Sequence, residues 1–200
     1  TSQAMAIYYN IFEPAERKAA FEQLINLIEE QEYHLDVGVL GGRVLFHVLT
    51  DFGYSDLAFS MITRPDYPSY GNWIARGATT LWEVFQPEGS DRIGSLNHHF
   101  WGDISSWFTQ ALSGIRMAPH GEPNEVDFRP SFISRITHAE AFHIAPTGRI
   151  ASAWERDEDD VIVLTVELPS TMHGVIRLES GYVFEDGLAY KAAESGTYRI

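Results

Sequence analysis

The sequence predicts an α+β chain in two parts: helices over residues 1–118, then a small antiparallel β-sandwich over 119–200. Three observations predict it. Apolar residues recur at helical spacing in the first half, as in Phe21, Leu24, Ile25 and Ile28. Pro119, Gly121, Pro123 and Pro130 then interrupt the pattern and read as a linker. Beyond them, short β-rich runs alternate with turn signals at close spacing, which argues for a sandwich.

The elements follow in order. Residues 2–9, rich in Ala and Met, read as helix. Pro14 opens the next helix, at a position where its missing N–H costs nothing. Residues 36–52 carry another, ended by Gly53. Ser55 is the candidate N-cap of a short helix over 56–63, which must stop before Pro65. Residues 77–83 are read as a helix start. Asp103 caps a last helix through Ile104, Trp107, Phe108, Ala111 and Leu112, with Gly114 as its C-cap. In the second part, 141–144 and 150–154 form a hairpin about Pro146-Thr147-Gly148. Residues 155–160 make an acidic turn, and 161–168 is the strongest strand. A strand over 175–178, a turn at Glu185-Asp186-Gly187 and a last strand over 198–200 complete the pattern.

Composition narrows the function. Apolar residues are 44% and charged residues 21% of the 200, ordinary for a globular protein able to bury a core. The formal net charge of −14 disfavours nucleic acid, anionic membrane surfaces and strongly anionic substrates, and suits a neutral partner such as a sugar. Five Trp, nine Tyr and twelve Phe could stack on sugar rings, although composition alone favours core packing. With no cysteine, disulfides and thiolate metal sites are excluded while the compartment stays open. No run is long and apolar enough to span a bilayer as a helix.

The chemistry concentrates in 67–102, which holds Tyr70, Trp73, Arg76, Trp82, Glu83, Phe85, Asn97, His98, His99 and Trp101. A sugar hydrolase needs such a set: carboxylates move protons, aromatics stack on the ring, and Asn and His bind hydroxyls. The alternative is an aromatic-rich helix pair packing on its neighbours. His98 and His99 are adjacent, so at most one is expected to face a ligand, and no metal site is expected from them. His34 and His47 read as packing histidines, and His138, His143 and His173 as surface residues. Asp157 to Asp160 lacks the glycine and terminal Glu of a calcium loop and reads as a solvated turn.

Four ordered segments carry a family resemblance. His34-Leu35-Asp36-Val37-Gly38-Val39-Leu40-Gly41 resembles an "HLxTGxxG" segment. Tyr67-Pro68-Ser69-Tyr70-Gly71-Asn72-Trp73 resembles "YPSWGYW", with Tyr70 where Trp is usual. Gly77-Ala78-Thr79-Thr80-Leu81-Trp82-Glu83 is similar to "GATTxWE", and Ser95-Leu96-Asn97-His98 to "SxNH". Their order and spacing, continued through Ser152-Ala153-Trp154 and Gly196-Thr197-Tyr198, resemble the glycoside hydrolase family 78 α-L-rhamnosidases over essentially the whole chain.

The resemblance implies that residues 1–118 are the last hairpins of a partial (α/α)6 six-hairpin barrel, followed by the family's C-terminal β-sandwich. It implies Glu83 as the general base of an inverting hydrolase acting on rhamnosides. It implies His98 as a sugar contact and Trp73 and Trp82 as pocket-wall aromatics, with Asn97 among the substrate-binding residues. No cofactor or metal is implied. The general acid lies upstream in the family and nothing here matches it, so the chain is read as a fragment that does not catalyse alone. A missing N-terminal half of the barrel would leave helix faces exposed, from which homodimerisation or a non-native closure is expected. A periplasmic or extracellular bacterial setting is favoured over the cytoplasm. The loop over 85–94 is short beside typical members, which bears on the placement of His98 and on the leaving group. Two other readings stay open: a different six-hairpin glycosidase or phosphorylase, and a non-catalytic carbohydrate-binding or structural module.

Overall fold

A computed structural model describes residues 1–90 and 94–200, so part of the 85–94 loop lies outside the described residues. The chain forms two compact units, Thr1–Ser105 and Ser106–Ile200.

The first unit is helical. It comprises α1 (Ser2–Tyr8), α2 (Arg17–Glu30), α3 (Val39–Asp51), α4 (Ser55–Thr63) and α5 (Tyr70–Ala75). Helix α1 packs on α2 and α3, α3 on α4, and α4 on α5. The spacing of Phe21, Leu24 and Ile28 puts them on one buried stripe of α2. Two boundaries shift from the sequence reading. Pro14 sits in the turn before α2, which begins at Arg17. Ser55 is the first residue of α4 rather than its cap, and Tyr54 precedes it.

The expected helix start at 77–83 is absent. The helix lies upstream as α5, whose N-cap Ser69 accepts the N–H of Asn72 at 2.9 Å. Gly77, at φ +81°, follows the end of α5. Two backbone bonds tie the stretch beyond it to a later loop: Glu83 N–H donates to the Ser95 carbonyl and His98 N–H to the Leu81 carbonyl, both at 2.8 Å.

The last helix begins at Asp103, which is its first residue rather than its cap, as α6 (Asp103–Trp107), and continues as a π-helical turn over Phe108–Leu112. Gly114 follows at φ +76°, where an added Cβ would lie 2.2 Å from the Pro130 nitrogen. Both backbone conformation and space therefore require glycine there.

The second unit is built from two four-stranded sheets. Strand β1 (Ile115–Met117), at the end of the part read as helical, pairs antiparallel with β2 (Val126–Phe128), inside the segment read as a linker. Each is only three residues long, too short for alternation to show against the neighbouring prolines. The hairpin is β3 (His138–Ala145) and β4 (Gly148–Arg156), in register Ala145↔Gly148, so Pro146 and Thr147 form its loop. Strands β5 (Ile162–Glu167), β6 (Val175–Arg177), β7 (Tyr190–Ala192) and β8 (Gly196–Arg199) follow. One sheet has the order β1-β2-β6-β7 and the other β3-β4-β5-β8. All pairs are antiparallel except β2–β6.

Strand β5 alternates as a half-buried strand must: Ile162, Leu164 and Val166 point inward while Thr165 and Glu167 are exposed. With Phe128, Ile150 and Ile176 they form the core of this unit, each such side chain contributing about 1.5–3 kcal/mol. Trp154 is buried there, and its Nε1–H donates to the Leu112 carbonyl at 2.7 Å. Its role is thus structural, not that of an exposed sugar platform.

Candidate active site

Two loop segments carry the residues singled out by sequence, and backbone pairing brings them together. Besides the two amide bonds above, Thr80 Oγ1–H donates to the Leu96 carbonyl. Residues 80–83 and 95–98 therefore run alongside each other, with Glu83 opposite Ser95 and Leu81 opposite His98. The half-buried Glu83 carboxylate accepts the Ser95 N–H at 2.8 Å through Oε2. A charged acceptor on a backbone donor is a strong bond and fixes the carboxylate's direction. Asn97 is exposed; its N–H donates to Ser95 Oγ at 3.2 Å and its carbonyl accepts the Ser95 hydroxyl at 3.1 Å. His98 is half-buried, with its ring edge-to-face on Phe100 at 4.5 Å.

An aromatic cluster underlies these loops. Trp73 stacks on Phe85 with centroids 4.3 Å apart, and Tyr70 and Trp101 meet both edge-on. Trp73, expected as a pocket wall, is 2% exposed and supports the site from beneath. Trp82 lies at the cluster's edge, half-buried, with the Arg76 guanidinium 5.3 Å from its ring centroid. Trp101 Nε1–H donates to the Glu83 carbonyl at 2.9 Å, and the Tyr70 hydroxyl donates to the Trp101 carbonyl at 3.2 Å. Burial pushes the Tyr70 phenol upward, and the Asp103 charge adds to it. The ring of Trp101 also presses on α3: a Cβ at Gly42 would lie 2.4 Å from Trp101 Cζ3. A glycine so placed lets the helix reach the indole.

Sequence reasoning missed a cavity of about 500 Å³ lined by Val39, Leu40, Arg43, His99, Phe100 and Asp103. Asp103 Oδ2 is 2.9 Å from His47 Nε2, one turn beyond Arg43 on α3. Tyr8 lies behind, its ring centroid 6.1 Å from that of His47. The Tyr8 phenol is pushed up by burial and then by Asp103, while Arg43 opposes the shift. Only the i, i+4 placement of Arg43 and His47 on one helix face signalled this cavity.

The remaining candidates are accounted for structurally. His34 Nε2 is 3.0 Å from Asp66 Oδ2, and Arg64 holds Asp66 with two donors, at 2.9 and 2.8 Å. The Arg64 bonds, then that of His34, hold the Asp66 carboxyl well below the usual carboxylate range. Asp157 Oδ1 accepts the N–H groups of Asp159 and Val161, both at 2.9 Å, as a turn-forming aspartate does. Among the described residues no group of three or more His, Asp or Glu could hold a metal ion. Among the described residues no helix is long and apolar enough to cross a membrane.

Packed helices that present a carboxylate, histidines and aromatics on their connecting loops, followed by a two-sheet domain, agree with the class to which the family model assigns this chain, the six-hairpin glycosidases. Its first 112 residues match the model of the bacterial alpha-L-rhamnosidase 6 hairpin glycosidase domain, and residues 124–181 match the bacterial alpha-L-rhamnosidase C-terminal domain. The chain belongs to the bacterial α-L-rhamnosidase family.

Its full length aligns with an alpha-L-rhamnosidase of Streptomyces avermitilis at 29% identity, covering 21% of that protein. The crystal structure of a Streptomyces avermitilis alpha-L-rhamnosidase complexed with L-rhamnose superposes with a TM-score of 0.86 at 28% identity, over 98% of this chain and 21% of that one. The alpha-L-rhamnosidase from Dictyoglumus thermophilum gives 0.85 at 26% identity, over 100% and 25%. The chain thus spans a quarter or less of the length of these relatives.

Proposed function

We propose that the full-length protein hydrolyses terminal α-L-rhamnosides with inversion at the anomeric carbon, and that Glu83 is its general base. The observation that carries the reading is the Glu83 carboxylate held by the Ser95 N–H at 2.8 Å, on a loop paired with the one bearing His98. A base must be aimed before it can deprotonate a water, and this bond aims it. On this reading His98 and Asn97, on the facing segment, bind sugar hydroxyls, and half-buried Trp82 meets the ring's apolar face. The names of the relatives supply the substrate class.

Inversion requires a second carboxyl about 6.5–9.5 Å from the base, so that water fits between base and sugar. We assign that general acid to the part of the full-length protein outside this chain, since the relatives are four to five times longer. No cofactor enters this chemistry.

The test is hydrolysis of 4-nitrophenyl α-L-rhamnopyranoside by the full-length protein, its Glu83→Gln variant and the 200-residue chain. The full-length protein is expected to be active and to release first the anomer of opposite configuration, seen by proton NMR. Glu83→Gln is expected to lose about 10²–10⁴ in kcat, and the 200-residue chain to be silent. A full-length protein inactive on rhamnosides, or a Glu83→Gln variant at full rate, overturns the reading.

A further inference from the structure

The cavity between the start of α3 and residues 99–103 has a composition the proposed base and sugar contacts do not use. It offers two apolar side chains that remain open, Leu40 at 58% and Phe100 at 50% exposure. It offers a donor in Arg43, which is exposed and, among the described residues, makes no hydrogen bond or ion pair. It offers an acceptor in Asp103, which His47 holds through Oδ2. The fourth chemical type is an imidazole, His99.

We propose that this cavity is the subsite for the sugar ring attached to the released rhamnose, with Arg43 and Asp103 as its specificity-determining residues. The inference rests on the glycosidase reading above. A pyranose ring has an apolar C–H face and a rim of hydroxyls that both donate and accept. Leu40 and Phe100 match the face; Arg43 and Asp103 match the rim with one donor group and one acceptor group. Their charges cancel, which suits a neutral ring over a uronate or sulfated one, as does the chain's net charge of −14.

Position supports the same assignment. Trp101 follows Phe100, packs against Gly42 beside Arg43, and donates to the Glu83 carbonyl. One indole therefore couples the cavity wall to the backbone of the proposed base. His98, on the base's loop pair, meets Phe100 of the cavity at 4.5 Å. On this assignment a ring seated here adjoins the one bound by Glu83 and His98. At about 500 Å³ the cavity is of ordinary ligand-site size.

The test compares two substrates in the full-length protein: a rhamnosyl-glucose disaccharide, whose leaving group carries hydroxyls, and 4-nitrophenyl α-L-rhamnopyranoside, whose leaving group carries none. The readout is the ratio of kcat/KM values, disaccharide over aryl glycoside. Arg43→Met keeps the side chain's apolar stem at an exposed position, so the fold should survive. That ratio is expected to fall at least tenfold in Arg43→Met and in Asp103→Asn. A ratio within twofold of the unaltered protein in both variants overturns the subsite while leaving the rhamnosidase reading intact. A full-length protein that cleaves neither substrate overturns the rhamnosidase reading, and the subsite with it.

Discussion

Glu83 and Ser95 are bonded to each other twice: the Glu83 N–H donates to the Ser95 carbonyl, and the Ser95 N–H donates to the Glu83 carboxylate, each at 2.8 Å. The two bonds fix both the backbone and the carboxylate at one point on the loop. A side chain held this way has one reach. Glu83→Asp keeps the charge but retracts it by a methylene, so it cannot keep the Ser95 bond and the same target. In the full-length protein kcat is expected to fall about 10²-fold, the usual cost of a misplacement near 1 Å. A rate within threefold of the unaltered protein would show that this geometry does not set activity.

Gly42 is the point where α3 meets the indole that supports the loops. An added methyl would sit 2.4 Å from Trp101 Cζ3 and 2.8 Å from Cε3, and the 4% exposed Trp101 has little room to move. Gly42→Ala gains helix propensity of about 1 kcal/mol but forces overpacking of about 1–3 kcal/mol. The net expectation is destabilisation, with a displaced Trp101 and reduced kcat. Thermal unfolding and indole fluorescence measure both, and a variant at least as stable as the original would contradict the packing.

In the second unit, Trp154→Phe removes the donor to the Leu112 carbonyl from a site 1% exposed. The orphaned acceptor and the lost ring volume should together cost about 1–3 kcal/mol. Trp154→Ala should cost about 3–5 kcal/mol. Denaturant titration of the two variants orders them, and a Trp154→Phe variant as stable as the original would mean that the hydrogen bond contributes nothing.

Acid sensitivity is expected at Asp66. Its folded-state pKa is depressed by Arg64 and then His34, so its charged form is favoured by folding. The stabilisation is fully present above the ordinary carboxylate pKa near 3.9 and fades as pH falls below it. Asp66→Asn should therefore be less stable than the original at pH 7, and the gap should narrow below about pH 4. The effect is modest because half of the Asp66 side chain is exposed. A gap constant between pH 7 and pH 3 would remove Asp66 from the linkage.

Much of the helical unit was legible because α1 to α4 carry continuous apolar periodicity and clear stop residues. Periodicity could not resolve α5, only six residues long, and it misplaced that helix onto 77–83. The same limit hid β1, β2 and β7, each of three residues, and left β2 inside an apparent linker. The ordered segments around Glu83 and His98 pointed to the loops that pair, but not to the pairing itself.

The sequence by itself determined the class of fold, the family and the residues worth watching, because periodicity, turn chemistry and ordered motifs are local properties of the chain. Only the tertiary structure decided which of those residues share a site. It buried Trp73 beneath the loops and Trp154 in the core, and set Glu83 against Ser95. It also assembled a cavity from Arg43 and Asp103, far apart in the chain. Such juxtapositions come from packing between distant segments, where the fit of one indole against one glycine matters and no local pattern records it.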